Sequence, residues 1–334
     1  MNRVTVIGLG KMGLLHASLL SVIPDVKLTA VCEKSRLISR FSMNAFNDVK
    51  IITGINDLPQ LQFDTVYVTT PTSTHYSIIS TIIQQEICKN IFVEKPLANS
   101  ALESMQLCEL LKKSRNAGVN MVGYNRRFNV TFRKAMELIQ DGTLGEPVIF
   151  SAYALSSDFT AGSPGKKRIS RGGVLRDLGC HAIDIANWFV GNISLNSIQS
   201  SIVSPAGALD SVSFTVSSQK GIKGQIKASW CETDYRLPEI GLVIEGSNGQ
   251  SLTVNDDKVE LREKQGEINV WHKQDLKDNT SFMLGGTDYY REDEEFMKAI
   301  KSGNTIEPDF STASRVDELI DSVEKTVTRQ HHAE

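Results

Sequence analysis

Short apolar runs rich in β-branched residues alternate with longer amphipathic stretches along the N-terminal third of the chain. The runs predict strands, and the stretches between them, in which apolar residues recur near a period of 3.6, predict helices. The predicted strands cover residues 4–7, 27–32, 65–69, 90–93 and 119–122, and the predicted helices cover residues 12–22, 36–46, 74–85 and 100–114. Such alternation is typical of βαβ units that build a parallel sheet.

From residue 145 onward the pattern changes to strand-like runs separated by turn residues such as Lys220-Gly221 and Asn248-Gly249, which predict hairpins. The predicted strands are 147–154, 198–203, 211–217, 224–230, 241–245, 251–254 and 259–262, and helices are predicted at 130–140, 289–302 and 312–329. The sequence therefore predicts an α/β fold. A doubly wound parallel sheet in residues 1–123 is followed by an α+β domain with a large, mostly antiparallel open sheet in residues 124–334.

Composition and charge narrow the functional classes. The 334 residues are 40% hydrophobic and 22% charged, with a formal net charge of -3, which gives no electrostatic reason to expect nucleic acid or a membrane surface as a partner. No apolar run approaches the roughly 20 residues that span a bilayer, and no signal sequence precedes the first strand. The five cysteines form no Cys-x-x-Cys pair, so we expect reduced thiols, no metal centre and a cytoplasmic protein.

A glycine-rich turn follows the first predicted strand and opens the first predicted helix. In Gly8-x-Gly10-x-x-Gly13, which encloses Lys11 and Met12, the glycines permit a tight turn, close approach of a pyrophosphate and close helix packing. Glu33 ends the second predicted strand, where an acid binds ribose hydroxyls and repels a 2′-phosphate. This context predicts dinucleotide binding and favours NAD, whereas the neighbouring Lys34, Ser35 and Arg36 favour NADP.

Two further segments carry groups for acid-base chemistry. Glu94-Lys95-Pro96 places an amine at the carboxyl end of a predicted strand, where open α/β sheets bind ligands. The segment 172–184 places Asp177 and His181 four residues apart at a predicted helix start, so they would share one helix face. As alternatives, Lys95 is an ordinary solvated lysine, Asp177 a helix cap and His181 a core histidine.

These segments together resemble the glucose-fructose oxidoreductase / inositol 2-dehydrogenase / rhizopine catabolism family (Gfo/Idh/MocA). The resemblance covers nearly the whole chain and rests on the order and spacing of six segments: the glycine motif, Thr70-Pro71-Thr72-Ser73-Thr74-His75, Glu94-Lys95-Pro96, 123–128, 142–147 and 172–184. It implies an N-terminal Rossmann domain and a C-terminal domain that binds substrate and forms oligomers.

The resemblance also implies roles for individual residues. Lys95, Asp177 and His181 would line the substrate site beside the nicotinamide, with His181 as the better candidate base, Lys95 polarising the same oxygen and Asp177 orienting; which of the two takes the proton stays open. The cofactor residues would be those of the glycine turn and of the strand ends: Gly8, Gly10, Lys11, Met12, Gly13, Glu33, Lys34, Thr70, Pro71, His75, Glu94 and Lys95. For His75, packing under the nicotinamide and simply beginning a helix are equal alternatives.

Several cations bear on the substrate. Arg127 is interpreted as a substrate-binding residue, with pairing to a surface acid as the alternative. Arg171 and Arg176 replace a glycine and an apolar residue of the family pattern, and Lys166, Lys167 and Arg168 lie just upstream. Because arginine suits bidentate binding of carboxylate or phosphate, this cluster suggests an acidic or nucleotide-linked sugar. A solvated basic loop explains it equally well.

The sequence thus predicts an NAD(P)-dependent dehydrogenase or reductase that transfers a hydride between the nicotinamide and a secondary alcohol or ketone of a sugar, polyol or sugar derivative. Two alternatives stay open: a relative that uses tightly bound NAD for internal redox on a glycoside or sugar pair, and a non-catalytic NAD(P)-binding sensor. The resemblance implies a homodimer or homotetramer, joined through the half-polar face of the C-terminal sheet.

Overall fold

The computed structural model describes residues 1–46, 48–159, 171–277, 280 and 287–331. Contacts divide the chain into two compact units. Unit 1 comprises Met1–Asn125 and Phe282–Ser314, and unit 2 comprises Arg126–Ser281 and Arg315–Glu334. The predicted domain division at residue 123 stays a prediction, and we note that the described residues from 287 to Ser314 group with unit 1.

Unit 1 is built on a six-stranded parallel sheet in the order β3-β2-β1-β4-β5-β6. Its elements are β1 (Asn2–Ile7), α1 (Lys11–Leu20), β2 (Val26–Cys32), α2 (Arg36–Ala45), β3 (Lys50–Ile52), β4 (Thr65–Val68), α3 (His75–Gln84), β5 (Asn90–Glu94), α4 (Ala101–Lys113) and β6 (Asn120–Gly123). Every residue of β4 and β5 is buried, as expected for a parallel sheet covered on both faces. Strand β3 was not predicted, because its three residues are too few to show a pattern.

The order of strands reverses between β1 and β4, both of which pair in parallel with each other and lead into glycine- or threonine-containing turns. At this point the hydroxyl of Thr69 donates to the carbonyl oxygen of Gly8 at 2.7 Å. Ligands of open α/β sheets bind at the carboxyl ends of strands beside such a reversal. In such a topology a ligand site is expected at the carboxyl ends of β1, β4 and β5.

Unit 2 contains an eight-stranded sheet in the order β14-β13-β12-β11-β7-β10-β9-β8. Its elements are α5 (Val130–Gln140), β7 (Pro147–Leu155), a π-helical turn (Leu175–Gly179) that continues into α6 (Cys180–Val190), β8 (Ile193–Val203), β9 (Leu209–Ser218), β10 (Lys223–Ser229), β11 (Glu239–Gly246), β12 (Ser251–Asn255), β13 (Lys258–Arg262) and β14 (Ile268–His272). All neighbouring strands are antiparallel except β7 and β10, which are parallel.

The predicted hairpins join β9 to β10 and β11 to β12, where Gly221 and Gly249 both have φ +82°. Two helices complete the chain: α7 (Thr287–Ser302) in unit 1, and α8 (Phe310–His331). The predicted fold class, a doubly wound parallel sheet followed by a large and mostly antiparallel sheet, is confirmed. None of the described helices combines the length and the apolar character needed to cross a bilayer.

Candidate active site

The glycine turn has the geometry of a pyrophosphate cradle. A Cβ atom on Gly8 would lie 2.7 Å from Cγ2 of Thr70, and one on Gly13 would overlap the carbonyl oxygen of Gly8, so both positions require glycine for packing. A Cβ on Gly10 would meet no atom within 4 Å. Gly10 is also the N-cap of α1 and has no side-chain cap, which leaves the helix N-terminus open toward an anion. Lys11 and Met12 form the first turn of this helix.

Glu33 lies just beyond β2, as predicted, and its carboxylate accepts hydrogen bonds from two backbone N–H groups. The Leu9 N–H donates to its Oε2 at 2.7 Å, and the Ser35 N–H donates to its Oε1 at 2.7 Å. The carboxylate therefore ties the glycine turn to the segment that contains Lys34. This arrangement holds the carboxylate beside the glycine turn.

His75 begins α3 and its ring is 1% exposed. Its Nε2 lies 2.9 Å from the carbonyl oxygen of Thr70 and its Nδ1 lies 3.0 Å from that of Pro96. Burial lowers the pKa of His75, so the ring is neutral and donates from one nitrogen at a time. His75 thus braces the segment Thr70-Pro71 against the segment after β5.

Lys95 follows β5 directly and is half-buried, and the Lys95–Pro96 peptide bond is cis. The side chain of Glu94, 7% exposed, turns back so that its Oε2 accepts the backbone N–H of Lys95 at 3.1 Å. Gly123 of the neighbouring β6 makes room for this carboxylate, since a Cβ there would lie 3.3 Å from Oε2. The backbone segment from which the Lys95 side chain projects is therefore held in place where it leaves the sheet.

Asp177 and His181 lie on the helix predicted for them, but its first part is wider than an α-helix. Residues Leu175–Gly179 form a π-helical turn, and α6 begins at Cys180. Such turns are rare and frequent at functional sites. Gly179 brings this helix onto β10, because a Cβ there would lie 2.9 Å from the Cβ of Ala228. Asp177 is partly exposed, and His181 is 6% exposed.

Arg171 lies against Asp177. Its guanidinium contacts the Asp177 carboxylate and also donates to Asp158 at 2.8 Å, while the rings of Trp230 and Phe159 lie 5.1 Å and 5.4 Å away. Burial lowers the pKa of Arg171, but the two carboxylates outweigh this effect and raise it. Two carboxylates thus contact one half-exposed cation.

The other two arginines interpreted as substrate ligands are buried in ion pairs. Arg127 donates to Asp184 at 2.6 Å and 2.9 Å, and its guanidinium lies 5.6 Å from the ring of Trp188. Arg176 donates to Asp321 at 2.5 Å and to Glu324 at 2.9 Å, with both partners on α8. Residues 166–168 of the suggested basic cluster lie outside the described residues. These pairs favour a structural role for Arg127 and Arg176 over binding of an anionic substrate.

The sequence analysis did not identify several charged residues that form ion pairs with the residues described above. His16, three residues after Gly13, contacts both Glu94 and Asp293, although the two acids lie far apart in the chain. Asp184 and Asp321 were likewise not recognised as the partners of Arg127 and Arg176. The signal available in the sequence was the occurrence of charged residues at apolar positions of helices, notably in the run Arg291-Glu292-Asp293, all of which are buried.

Comparison with known proteins identifies the class. Residues 2–124 match the family model described as "Oxidoreductase family, NAD-binding Rossmann fold", and residues 132–251 match that of the "GFO/IDH/MocA C-terminal domain". The chain belongs to the Gfo/Idh/MocA oxidoreductase family, so the predicted resemblance is confirmed. An NAD cofactor and an oxidoreductase activity, both predicted from the sequence, are confirmed as well.

Among individual proteins, the inositol 2-dehydrogenase of Rhizobium meliloti (strain 1021) is 28% identical over 340 aligned residues, which cover 98% of this chain and 97% of the relative. The scyllo-inositol 2-dehydrogenase (NAD(+)) of Bacillus subtilis (strain 168) is 33% identical over 195 residues, covering 57% of this chain and 54% of the relative.

Solved structures share the fold. A levoglucosan dehydrogenase in complex with NADH and levoglucosan superposes with a TM-score of 0.83 at 21% identity, covering 98% of this chain and 97% of the other. A putative myo-inositol dehydrogenase from Sinorhizobium meliloti 1021 gives a TM-score of 0.78 at 24% identity, covering 99% and 98%.

Proposed function

We propose that this protein is an NAD-dependent dehydrogenase of a neutral polyol or sugar, with a cyclic polyol such as an inositol as its first candidate substrate. The observation that carries the proposal is that Lys95 and the Asp177/His181 pair occur together in a member of a family of oxidoreductases. The relatives named above act on inositols and on levoglucosan, which are all polyhydroxylated rings.

In the proposed reaction, a secondary alcohol is oxidised to a ketone. The bound nicotinamide supplies the hydride acceptor. The carbon–hydrogen bond breaks with its electron pair, and the hydroxyl proton passes to a base of this chain. His181 is the first candidate for that base, and Lys95 donates a hydrogen bond that polarises the same oxygen. Asp177 orients the substrate or the imidazole.

The residues of unit 1 fit the cofactor. Gly10 leaves space for the pyrophosphate at the N-terminus of α1, and Glu33 offers carboxylate oxygens to the ribose hydroxyls. Lys34, Thr70, Pro71 and His75 complete this edge of unit 1. Lys95 follows immediately after β5, so its amine lies beside the region proposed for the nicotinamide.

The charges near Asp177 favour a neutral substrate. The cation of Arg171 already lies between Asp158 and Asp177, and Arg176 is buried with two acids. An acidic sugar would have to displace a carboxylate from Arg171 and would meet the repulsion of the released acid. A hydroxyl group, in contrast, can donate a hydrogen bond to Asp177 without separating a carboxylate from Arg171.

A substrate screen tests the proposed function. Inositols, an anhydrosugar, glucosides, uronic acids and nucleotide sugars are incubated with NAD, and formation of NADH is followed, together with the reverse reaction of the ketones. We expect turnover with a neutral polyol or sugar, and a loss in Asp177→Asn that is smaller than in His181→Ala. Turnover only of uronic acids or nucleotide sugars contradicts the neutral class. Turnover without added NAD points to internal redox, and none with any compound points to a sensor.

We also propose a homo-oligomer, dimer or tetramer, joined through the open face of the eight-stranded sheet. One row across this face contains Thr215, Gln225, Ser151 and Val243, which are paired in register. Near the start of β7, Ile149, which shares the face of Ser151, is 45% exposed, so apolar surface is available on this face. Light scattering tests this proposal: Ser151→Arg should reduce the mass, and a monomeric wild type contradicts the proposal.

For the compartment, we propose the cytoplasm. None of the five cysteines, all of which lie among the described residues, forms a disulfide, and burial raises the pKa of Cys88 to about 12 and that of Cys32 to about 11. Buried thiols that form no disulfide suit a reducing environment. Cell fractionation with antibody detection tests this expectation, and recovery of the protein outside the cytoplasm contradicts it.

A further inference from the structure

His16 is completely buried in unit 1 and contacts two carboxylates. Its Nδ1 lies 2.9 Å from both oxygens of Asp293, and its Nε2 lies 3.1 Å from Oε1 of Glu94. Each ring nitrogen of His16 thus has a carboxylate oxygen within hydrogen-bond distance. Burial lowers the pKa of His16, but the charges and hydrogen bonds of Asp293 and Glu94 outweigh burial and raise it well above the ordinary value.

Aromatic side chains fix the ring in its plane. The ring centroids of Phe92, Tyr67 and Tyr289 lie 5.0 Å, 5.5 Å and 6.0 Å from that of His16, and Phe92 and Tyr67 are themselves stacked at 4.4 Å. With rings on several sides and an acceptor at each nitrogen, His16 has one accessible orientation. The hydrogen bond from its Nε2 therefore sets the position of the Glu94 carboxylate.

Glu94 connects His16 to the backbone of Lys95 through two hydrogen bonds. One of its oxygens accepts from His16, and the other accepts from the backbone N–H of Lys95 at 3.1 Å. A continuous chain of hydrogen bonds thus leads from Asp293 on α7, through His16 on α1, to the peptide group that precedes the Lys95 side chain. The same helix α1 begins at the glycine turn and carries His16.

Stability alone does not account for this cluster. Burying charges costs several kcal/mol per ion in real proteins, and apolar residues of similar volume are often as stable or more so. An apolar side chain at position 16 would fill the space between Phe92 and Tyr67, but it would leave Glu94 without a donor on its Oε1 side. What the ion cluster adds is a defined position for that carboxylate.

We propose that His16 is a positioning residue for Lys95: held by Asp293, it fixes Glu94, and Glu94 fixes the backbone from which Lys95 projects. The proposal rests on the proposed function insofar as Lys95 acts on the substrate hydroxyl. His16 itself touches neither substrate nor cofactor. Its effect is to hold the amine at one distance from the reacting oxygen, and small displacements of a reacting group reduce rates strongly.

Two substitutions of equal polarity separate positioning from general packing. In His16→Gln the amide nitrogen occupies the place of Nε2 and retains the bond to Glu94, whereas in His16→Asn it occupies the place of Nδ1 and retains only the bond to Asp293. Both replace a buried imidazole with a buried amide. Glu292→Gln is the matched control for a polar change in this core, because Glu292 is equally buried on α7 and neither of its oxygens has a hydrogen-bond partner among the described residues.

Hydrogen exchange at the Lys95 amide, measured by mass spectrometry of the full chain, reports the hydrogen bond from this amide to Glu94 without requiring turnover. We expect exchange near the wild-type rate in His16→Gln and Glu292→Gln, and exchange about tenfold faster or more in His16→Asn, as for loss of a hydrogen bond to a charged group. The turnover number with the polyol found in the screen should follow the same order, while the dissociation constant for NAD stays within about threefold, since the pyrophosphate cradle is unchanged.

Equal exchange in His16→Gln and His16→Asn overturns the proposal, and so does a difference in exchange without a difference in turnover. Glu94→Asp provides a second reading that does not depend on the histidine variants folding: the shorter carboxylate cannot span both donors, so Lys95 exchange should rise about tenfold. Wild-type exchange in Glu94→Asp overturns the proposal. If the wild type turns over no polyol, the proposed function fails, and the exchange comparison still decides whether His16 holds the Lys95 backbone.

Discussion

The two units hold their functional groups in different ways. In unit 1 the charges behind Lys95 are buried, with His16 and Asp293 at 0% exposure, and the glycine turn is fixed by backbone contacts. In unit 2 the charges around Asp177 are partly open to solvent, with the side chains of Arg171 and Asp177 at 37% and 20% exposure. Removing one partner of a buried ion pair costs several kcal/mol, whereas an exposed pair contributes about 1 kcal/mol or less. We therefore expect the charged groups of the two units to respond differently to substitution.

The largest effect on turnover is expected when one proposed catalytic group is removed from each unit. Lys95→Ala and His181→Ala should each lower turnover by about 100-fold to 10,000-fold, the usual contribution of general acid-base groups, with little loss of NAD binding. Lys113→Ala, an exposed lysine on α4, is the control. Near-wild-type turnover in both variants contradicts the proposed site.

The pH dependence of the same variants separates the two groups. If His181 is the base, wild-type oxidation should rise with pH through an ionisation that is absent in His181→Ala. Persistence of that ionisation in His181→Ala assigns it to Lys95. The measurement is the initial rate of NADH formation over a range of pH values at saturating NAD.

A second experiment compares a buried with a half-exposed arginine. Arg127→Leu leaves the carboxylate of Asp184, which is 1% exposed, without this buried partner, so it should lower the free energy of unfolding by roughly 3–5 kcal/mol. Arg171→Leu should lower it by about 1 kcal/mol or less, because its carboxylates are partly hydrated. Urea unfolding followed by circular dichroism provides both values, and equal losses contradict the distinction between buried and open pairs.

A third experiment probes the glycine turn. Gly10→Val should weaken NAD binding roughly 100-fold or more, equivalent to about 3 kcal/mol, while the fold stays intact, because the added Cβ meets only the space proposed for the pyrophosphate. Gly13→Val should instead prevent stable folding, since its Cβ overlaps Gly8. Calorimetric titration with NAD measures the first effect and thermal unfolding the second. Unchanged NAD affinity in a folded Gly10→Val places the site elsewhere.

The smallest expected effect concerns Glu292. Burial, opposed by His16 and reinforced by Glu94, Asp293 and Asp288, raises its pKa well above the ordinary value. A carboxyl with a raised folded pKa contributes stability that is present below its unfolded pKa and is lost as the pH rises toward the folded pKa. Glu292→Gln should therefore be more stable than wild type at pH 8, on the order of 1 kcal/mol. The gain should vanish below pH 4.5, the ordinary value. A gain that grows on acidification contradicts this assignment.

Much of the fold followed from local sequence patterns. The strands of the parallel sheet and the hairpins of the second sheet were predicted to within a few residues, because alternation and turn glycines act over short distances. Strands β3 and β14 were missed. β3 is only three residues long, and in β14 the residues Ile268, Asn269 and Val270 are all exposed, so no burial pattern marks it.

The roles of the residues proposed to bind substrate were harder to predict, because a charged residue in a sequence does not reveal which residue it will pair with. Arg171 and Arg176 looked alike in sequence as candidate anion receptors. In the structure Arg176 is buried against Asp321 and Glu324 on α8, while Arg171 stands half-exposed beside Asp177. The difference depends on a helix that lies more than a hundred residues further along the chain.

The sequence by itself determined the features that a backbone segment decides locally: the glycine turn, the strand that ends at Lys95, and the helix that carries Asp177 and His181. Only the tertiary structure decided which charges meet, as when α7 brings Asp293 to His16 across 277 positions of sequence separation. The physical reason is that backbone conformation depends on neighbouring residues. The energy of a buried charge depends instead on what the fold places around it.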